Sequence, residues 1–80
     1  FNPSTTVVFA IEKNQIVELA VYNMLGQKVK NLHSGRLLEG SYQFEWNGKK
    51  DAGMNVSTGL YFISMRTPDN IKTTKVMFLR

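Results

Sequence analysis

The sequence predicts an all-β domain, an antiparallel sandwich of about six or seven strands, with a small partly open barrel as the alternative. Apolar and polar residues alternate with period two in five segments, which is typical of half-buried strands. Short segments rich in turn-forming residues separate them, and no segment has a helical period. Eighty residues allow a single domain with one core.

The alternation assigns one face of each strand, in chain order. Three strands carry one apolar face each. This face comprises Thr5, Val7, Phe9 and Ile11 in the first strand, and Val17, Leu19 and Val21 in the second. In the strand at residues 42–46 it comprises Tyr42, Phe44 and Trp46. The next sets Tyr61, Ile63 and Met65 against Leu60, Phe62 and Ser64. The last sets Ile71, Thr73, Lys75, Met77 and Leu79 against Lys72, Thr74, Val76 and Phe78. The pattern does not decide which of these two faces is buried. We expect the core at Phe9, Leu19, Val21, Phe44, Trp46, Tyr61, Ile63 and Val76.

The separators predict the connections. Residues 12–15 (EKNQ) are expected to form a tight hairpin between the first two strands, and residues 67–70 (TPDN) another between the last two. Residues 23–27 (NMLGQ) turn at Gly26, and a short strand follows in KVKNL. Residues 33–41 fit neither strand nor turn clearly.

Charge and composition exclude several classes of protein. The net charge of +4 comes from ten basic residues spread along the chain, so nucleic-acid binding is not expected. No apolar run reaches the ~20 residues of a membrane span, so direct membrane insertion is not expected either. The chain has no cysteine, which excludes disulfides and thiol chemistry within it. Because it opens on Phe1 rather than Met, we interpret it as one domain, residues 1–80, of a longer protein.

One polar loop is a candidate metal site. Asn47, Asp51 and Asn55 are spaced along it, and they could hold a weak calcium ion together with loop carbonyls. However, Asp51 is the single carboxylate of the loop, and Lys49 and Lys50 beside it would repel a cation. The sequence therefore favours a plain connector between strands.

No catalytic, cofactor-binding or metal-binding residue is predicted elsewhere. His33 is the single histidine, and the six carboxylates fall one at a time along the chain, so no partnered catalytic group emerges. Tyr42, Phe44 and Trp46 could form a sugar-stacking platform, but a small sandwich needs that face for its core. We therefore expect a protein that is not an enzyme and has no cofactor.

The order of motifs resembles a known family. "FNPSTTVVFAI", "VELAVYNMLGQKVKNL", "GSYQFEWNGKKDAG", "VSTGLYFISMR" and "TTKVMFLR" follow one another as in the C-terminal sorting domains (type A) of the type IX secretion system. The chain is similar as well to the immunoglobulin-like domain of the flagellar hook-capping protein. Asn47 stands where the sorting family usually has aspartate after its tryptophan. Both resemblances imply an immunoglobulin-like antiparallel β-sandwich of about seven strands.

The first resemblance implies a non-catalytic C-terminal sorting module. Such a module follows N-terminal cargo domains of the same chain, is recognised by the export machinery, and is often removed by a sorting peptidase. The parent protein would pass through the periplasm to the cell surface or the medium. The alternatives are a structural spacer or assembly module of the hook-capping type, and a carbohydrate-binding accessory module.

The resemblance also implies where recognition takes place. The residues carried over are Gly59, Leu60 and Tyr61 in one segment, and Lys75, Val76, Met77, Phe78, Leu79 and Arg80 in the other. A final strand at a sheet edge offers unpaired backbone groups to which a receptor could add a strand. The same edge makes a homodimer or strand exchange an expectation.

Overall fold

The computed structural model describes residues 4–79 and shows two antiparallel sheets packed face to face. The predicted recognition residue Arg80 lies outside the described residues. Within them, six strands occur where the resemblance implied about seven. Their bounds are β1 Thr5–Ile11, β2 Gln15–Tyr22, β3 Lys28–Leu37, β4 Gly40–Trp46, β5 Gly59–Arg66 and β6 Ile71–Phe78. The all-β, immunoglobulin-like sandwich is confirmed.

The larger sheet has the strand order β3-β2-β5-β6, and the smaller one pairs β1 with β4. β1 and β4 run in uninterrupted register from Thr5 opposite Trp46 to Ile11 opposite Gly40. The β2–β3 ladder shifts register twice, near Ala20 and near Tyr22. Such shifts are β-bulges, which increase the local twist of a strand. The two sheets therefore enclose the core between one regular pair and one twisted four-stranded layer.

The predicted inward faces are confirmed. The core comprises Val7, Phe9, Ile11, Val17, Leu19, Val21, Trp46, Val56, Tyr61, Ile63, Met65 and Phe78. Of the residues expected there, Phe44 and Val76 are only partly buried, and they pack against the rim of this cluster. Burial of Val76 and Phe78 settles the open question of the last strand: its even-numbered face points inward.

Two predicted connections differ from the structure. Residues 12–15 do not form a hairpin, because β1 pairs with β4 and β2 pairs with β3 and β5. The segment instead carries the chain from one sheet to the other, so that the apolar faces of both strands reach one core. The predicted length of the strand after Gly26 is wrong, because β3 is not short: it continues through His33 and Gly35 to Leu37. The turn at residues 67–70 is confirmed, with the Thr67 amide donating to the Asn70 carbonyl at 2.8 Å.

The last strand is locked to the β4–β5 connection by an aromatic cluster. The Trp46 ring lies 5.2 Å from the Tyr61 ring and 6.2 Å from the Phe78 ring, measured between centroids. Trp46 Nε1 donates to the Lys49 carbonyl at 2.9 Å, which fixes the turn that follows β4. Gly48 in this turn has a φ of +74° and lies so close to Phe78 that a Cβ atom would overlap its ring. Position 48 therefore requires glycine for two reasons: its positive φ, and the absence of a Cβ atom that would overlap the Phe78 ring.

We predict that Gly48→Ala lowers the free energy of unfolding by about 2–4 kcal/mol, since left-handed strain and overpacking add together. Gly26→Ala is the matched control: Gly26 has a φ of +81° with nothing within 4 Å of its added Cβ. It should cost only the strain, about 1–2 kcal/mol. Urea unfolding followed by Trp46 fluorescence measures both. Equal losses would show that the Phe78 contact contributes nothing.

Candidate interaction surface

The structure brings the two predicted recognition segments together. β5 and β6 are antiparallel neighbours, and Gly59 lies opposite Phe78, Leu60 opposite Met77, and Tyr61 opposite Val76. Thirteen residues, 62–74, separate the segments in sequence, yet the segments form one continuous piece of sheet where β5 begins and β6 ends. Leu79 follows directly and is exposed. This proximity is a property of the hairpin register and was not contained in either motif alone.

Half of these residues face the core. Tyr61 is buried, its ring packs against Trp46, and its hydroxyl donates to the Ser57 carbonyl at 2.8 Å. A tyrosine that bonds back to the preceding corner in this way is typical of immunoglobulin-like sandwiches. Phe78 is buried too, and Val76 is partly buried. These three side chains pack in or against the core. The side chains next to them in β5 and β6 are therefore the ones that a partner could contact.

The other half face solvent on the outside of the four-stranded sheet. Leu60 and Met77 form one cross-strand pair there, and Phe62 and Lys75 form the next. Tyr22 of β2 lies opposite Phe62 on the same face. We call Tyr22, Leu60, Phe62, Lys75 and Met77 the outer patch. It combines apolar and aromatic side chains, of which Met77 is 48% exposed, with the charge of Lys75.

The edge position of β6 adds backbone groups to this surface. β6 pairs with β5 on one side and ends the strand order of its sheet within residues 4–79. Five consecutive residues, from Ile71 to Lys75, are exposed. Lys72 and Lys75 lie on this edge strand. Charged residues on an edge strand oppose pairing with an identical strand, because like charges would then lie close together. The edge therefore suits a partner strand of opposite charge better than a second copy of β6.

The polar loop at residues 47–55 serves β3. Asp51 donates its amide to the Val29 carbonyl at 3.1 Å, and its Oδ1 accepts the Asn31 amide at 3.1 Å. Lys30 Nζ lies 3.9 Å from the same carboxylate oxygen. Asp51 thus occupies two backbone groups of β3, the Val29 carbonyl with its amide and the Asn31 amide with its carboxylate, which would otherwise be open to strand pairing. The predicted connector also protects an edge, a role that its sequence did not indicate.

Among residues 4–79, no three histidine, cysteine, aspartate or glutamate side chains are grouped so that they could hold a metal ion. His33 Nε2 lies 3.2 Å from the Gly35 carbonyl, and its ring contacts the Phe44 ring at 5.9 Å. Trp46 is 1% exposed, and Tyr42 and Phe44 on the same face of β4 are partly buried and pack against the core. Within the described part of the chain, no helix is long and apolar enough to cross a membrane.

The outer patch was only partly visible in the sequence. Alternation placed Leu60 and Met77 on non-core faces correctly once the inward face of β6 was known. Tyr22 and Phe62 were not singled out, because nothing in the sequence specifies that β2 pairs with β5 and that these two rings become neighbours. The signal that could have found them is an aromatic residue on the polar face of each strand.

Comparison with known proteins agrees with this architecture. The family model of the FlgD Ig-like domain matches residues 4–70, which include β1 to β5 and end before β6. The crystal structure of FlgD from P. aeruginosa resembles the chain with a TM-score of 0.70 and 24% sequence identity, over 92% of this chain. The match spans 57% of that FlgD chain, so it shows the shared fold of one part of it. No curated protein matches the sequence.

We predict that Asp51→Ala lowers the free energy of unfolding by about 0.5–1.5 kcal/mol, because the Asn31 amide loses its acceptor. Asp51→Asn keeps an acceptor oxygen and should lose less. Asp69→Ala is the control: its ion pair with Lys13 at 3.3 Å is exposed on both sides and should contribute about 0–1 kcal/mol. Thermal unfolding with and without calcium completes the test. A midpoint that calcium raises in the wild type and not in Asp51→Ala would restore the metal-site interpretation.

Proposed function

Because this chain belongs to the FlgD Ig-like domain family, we propose that it is a non-catalytic structural module, a spacer or an assembly domain of a larger protein. The observation that carries the proposal is the family match over residues 4–70, which includes the β1–β4 sheet and three of the four strands of the larger sheet. Assembly of the hook-capping type fits this family better than any chemistry does. The module would present a rigid surface to a partner and would contribute no catalytic residue.

The structure supports a division of labour within that module. Tyr61 and Phe78 pack in the core together with Trp46, while Leu60, Phe62, Lys75 and Met77 of the outer patch alternate with inward side chains along β5 and β6. A partner that contacts the outer patch meets side chains whose backbone is fixed by the core behind it. Such preorganisation lowers the entropy cost of binding. We therefore place the assembly contact on the outer patch.

The test is made in the protein that carries this module. Phe62→Ser with Lys75→Ser should reduce incorporation of that protein into its assembly, measured by co-sedimentation. The control, Val8→Ser with Gln43→Ser, changes the outer face of the other sheet, where Val8 lies opposite Gln43. Because Phe62 is half-buried, the melting temperature of each variant is measured first, and Lys75→Glu provides a version that leaves the packing intact. Normal incorporation of stable outer-patch variants would contradict the proposal.

A second candidate is the type IX sorting module. It is favoured by the order of the five motifs and by the adjacency of the two predicted recognition segments, Gly59–Leu60–Tyr61 and Lys75–Leu79. β6 lies outside the span that the FlgD model matches, which leaves room for a role of its own. In this candidate, the partners are the export machinery and the sorting peptidase. The module would carry its cargo through the periplasm to the cell surface or the medium.

A secretion assay separates the two candidates. Residues 1–80 are fused to the C-terminus of a periplasm-targeted fluorescent protein in a strain with the type IX system. Removing residues 75–80 would be uninformative, since it removes Phe78 from the core. Leu60→Ser with Lys75→Glu instead changes only outward side chains. Sorting predicts surface or medium fluorescence that this variant loses while staying folded. Periplasmic retention of a folded wild-type fusion would refute sorting in that host.

A further inference from the structure

One end of the molecule carries the net charge of the described chain. It contains the β2–β3 turn, the β4–β5 loop and the strand ends beside them. Its charged residues are five lysines and two carboxylates, a net charge of +3: Lys28, Lys30, Lys49, Lys50, Lys75, Glu45 and Asp51. The remaining described residues hold four cations and four anions, which cancel: Lys13, Arg36, Arg66, Lys72, Glu12, Glu18, Glu39 and Asp69.

The same end displays large apolar side chains. Leu25 is 83% exposed, Met24 71% and Met54 61%. Single exposed hydrophobic residues are common and need no explanation. Here, however, two projecting loops carry three of them next to the excess of lysines. The two loops lie side by side, since Asn23 and Gln27 of the turn and Ala52 and Asn55 of the loop line one open groove.

Both loops are held in fixed conformations. Asn23 Oδ1 accepts the amides of Leu25 at 2.9 Å and Gln27 at 3.0 Å, and its Nδ2 donates to Gln27 Oε1 at 2.8 Å. In the neighbouring loop, the Lys50 amide donates to the Met54 carbonyl at 2.8 Å. The backbone thus keeps Met24, Leu25 and Met54 pointing away from the core. An apolar group held in water by its own turn is set up for a contact outside the molecule.

We infer that this loop end, Met24, Leu25 and Met54 with Lys28, Lys49 and Lys50, adsorbs to an anionic lipid surface. Convex loop tips that bear flexible apolar side chains suit the fluid boundary of a bilayer, which needs no matching pocket. Lysines around them attract anionic headgroups, and their long stems allow the charge to stay in the headgroup layer. This is adsorption to one leaflet, with no segment crossing the membrane, and it goes beyond the proposed structural role.

The experiment is co-sedimentation of the 80-residue chain with vesicles. Vesicles of phosphatidylcholine with phosphatidylglycerol should bind it at low salt, and vesicles of phosphatidylcholine alone should not. Met24→Ser with Leu25→Ser should weaken binding about tenfold or more through lost apolar burial. Lys49→Glu and Lys50→Glu should each weaken it about fivefold or more. Circular dichroism confirms that every variant is folded.

Matched controls lie at the opposite end. Leu38→Ser removes a side chain that is 62% exposed, and Lys13→Glu changes a charge there. Both should bind like the wild type. Absence of binding to the anionic vesicles, or equal losses in both sets of variants, would overturn the inference. Loss with the lysine variants alone would overturn the apolar contact. Binding to soluble polyglutamate with the same dependence on Met24 and Leu25 would assign the loop end to an acidic protein instead.

Discussion

The contact between the Phe78 ring and Gly48 decides how the rest of this molecule is arranged. It joins the end of the last strand to the turn that follows β4, two places thirty residues apart in sequence. The Trp46 ring packs against both Phe78 and Tyr61, so the end of β4, the turn after it, β5 and β6 are joined in one cluster. A sandwich of this size has little apolar area to spare, and small domains depend on few such clusters. β6 is consequently part of the core as well as an edge.

That dual position shapes what the predicted recognition segments can do. Along β5 and β6, side chains alternate between the core and the outer patch, so adjacent residues have unrelated tasks. Tyr61 and Phe78 stabilise the sandwich, whereas Leu60, Lys75 and Met77 lie on its outer face. A motif that spans both kinds of residue combines a folding requirement with a binding requirement. Truncation experiments on such a strand measure both at once, and substitutions on the outward face separate them.

The sequence predicts the local features well and the long-range pairing poorly. Alternation identified the inward faces of β1, β2, β4 and β5, because burial of one face imposes period two on a strand. It could not show that residues 12–15 cross between sheets, since a short polar connection looks the same in a hairpin and in a crossover. The second half of β3 was not predicted, because His33 and Gly35 interrupt the alternation of apolar and polar residues there. The role of Asp51 depends on a strand twenty residues away, so no local pattern contains it.

Native-state hydrogen exchange of the intact chain tests most directly whether β6 is an integral part of the sandwich. If the Phe78 contact locks the last strand, the hydrogen-bonded amides of β6 exchange only through global unfolding. Their exchange free energies then equal those of β2, whose Leu19 and Val21 lie at the centre of the core. β6 amides that exchange at a much lower free energy than β2 amides would contradict this account. The last strand would then be a detachable arm, and its outward residues would not stand on a fixed surface.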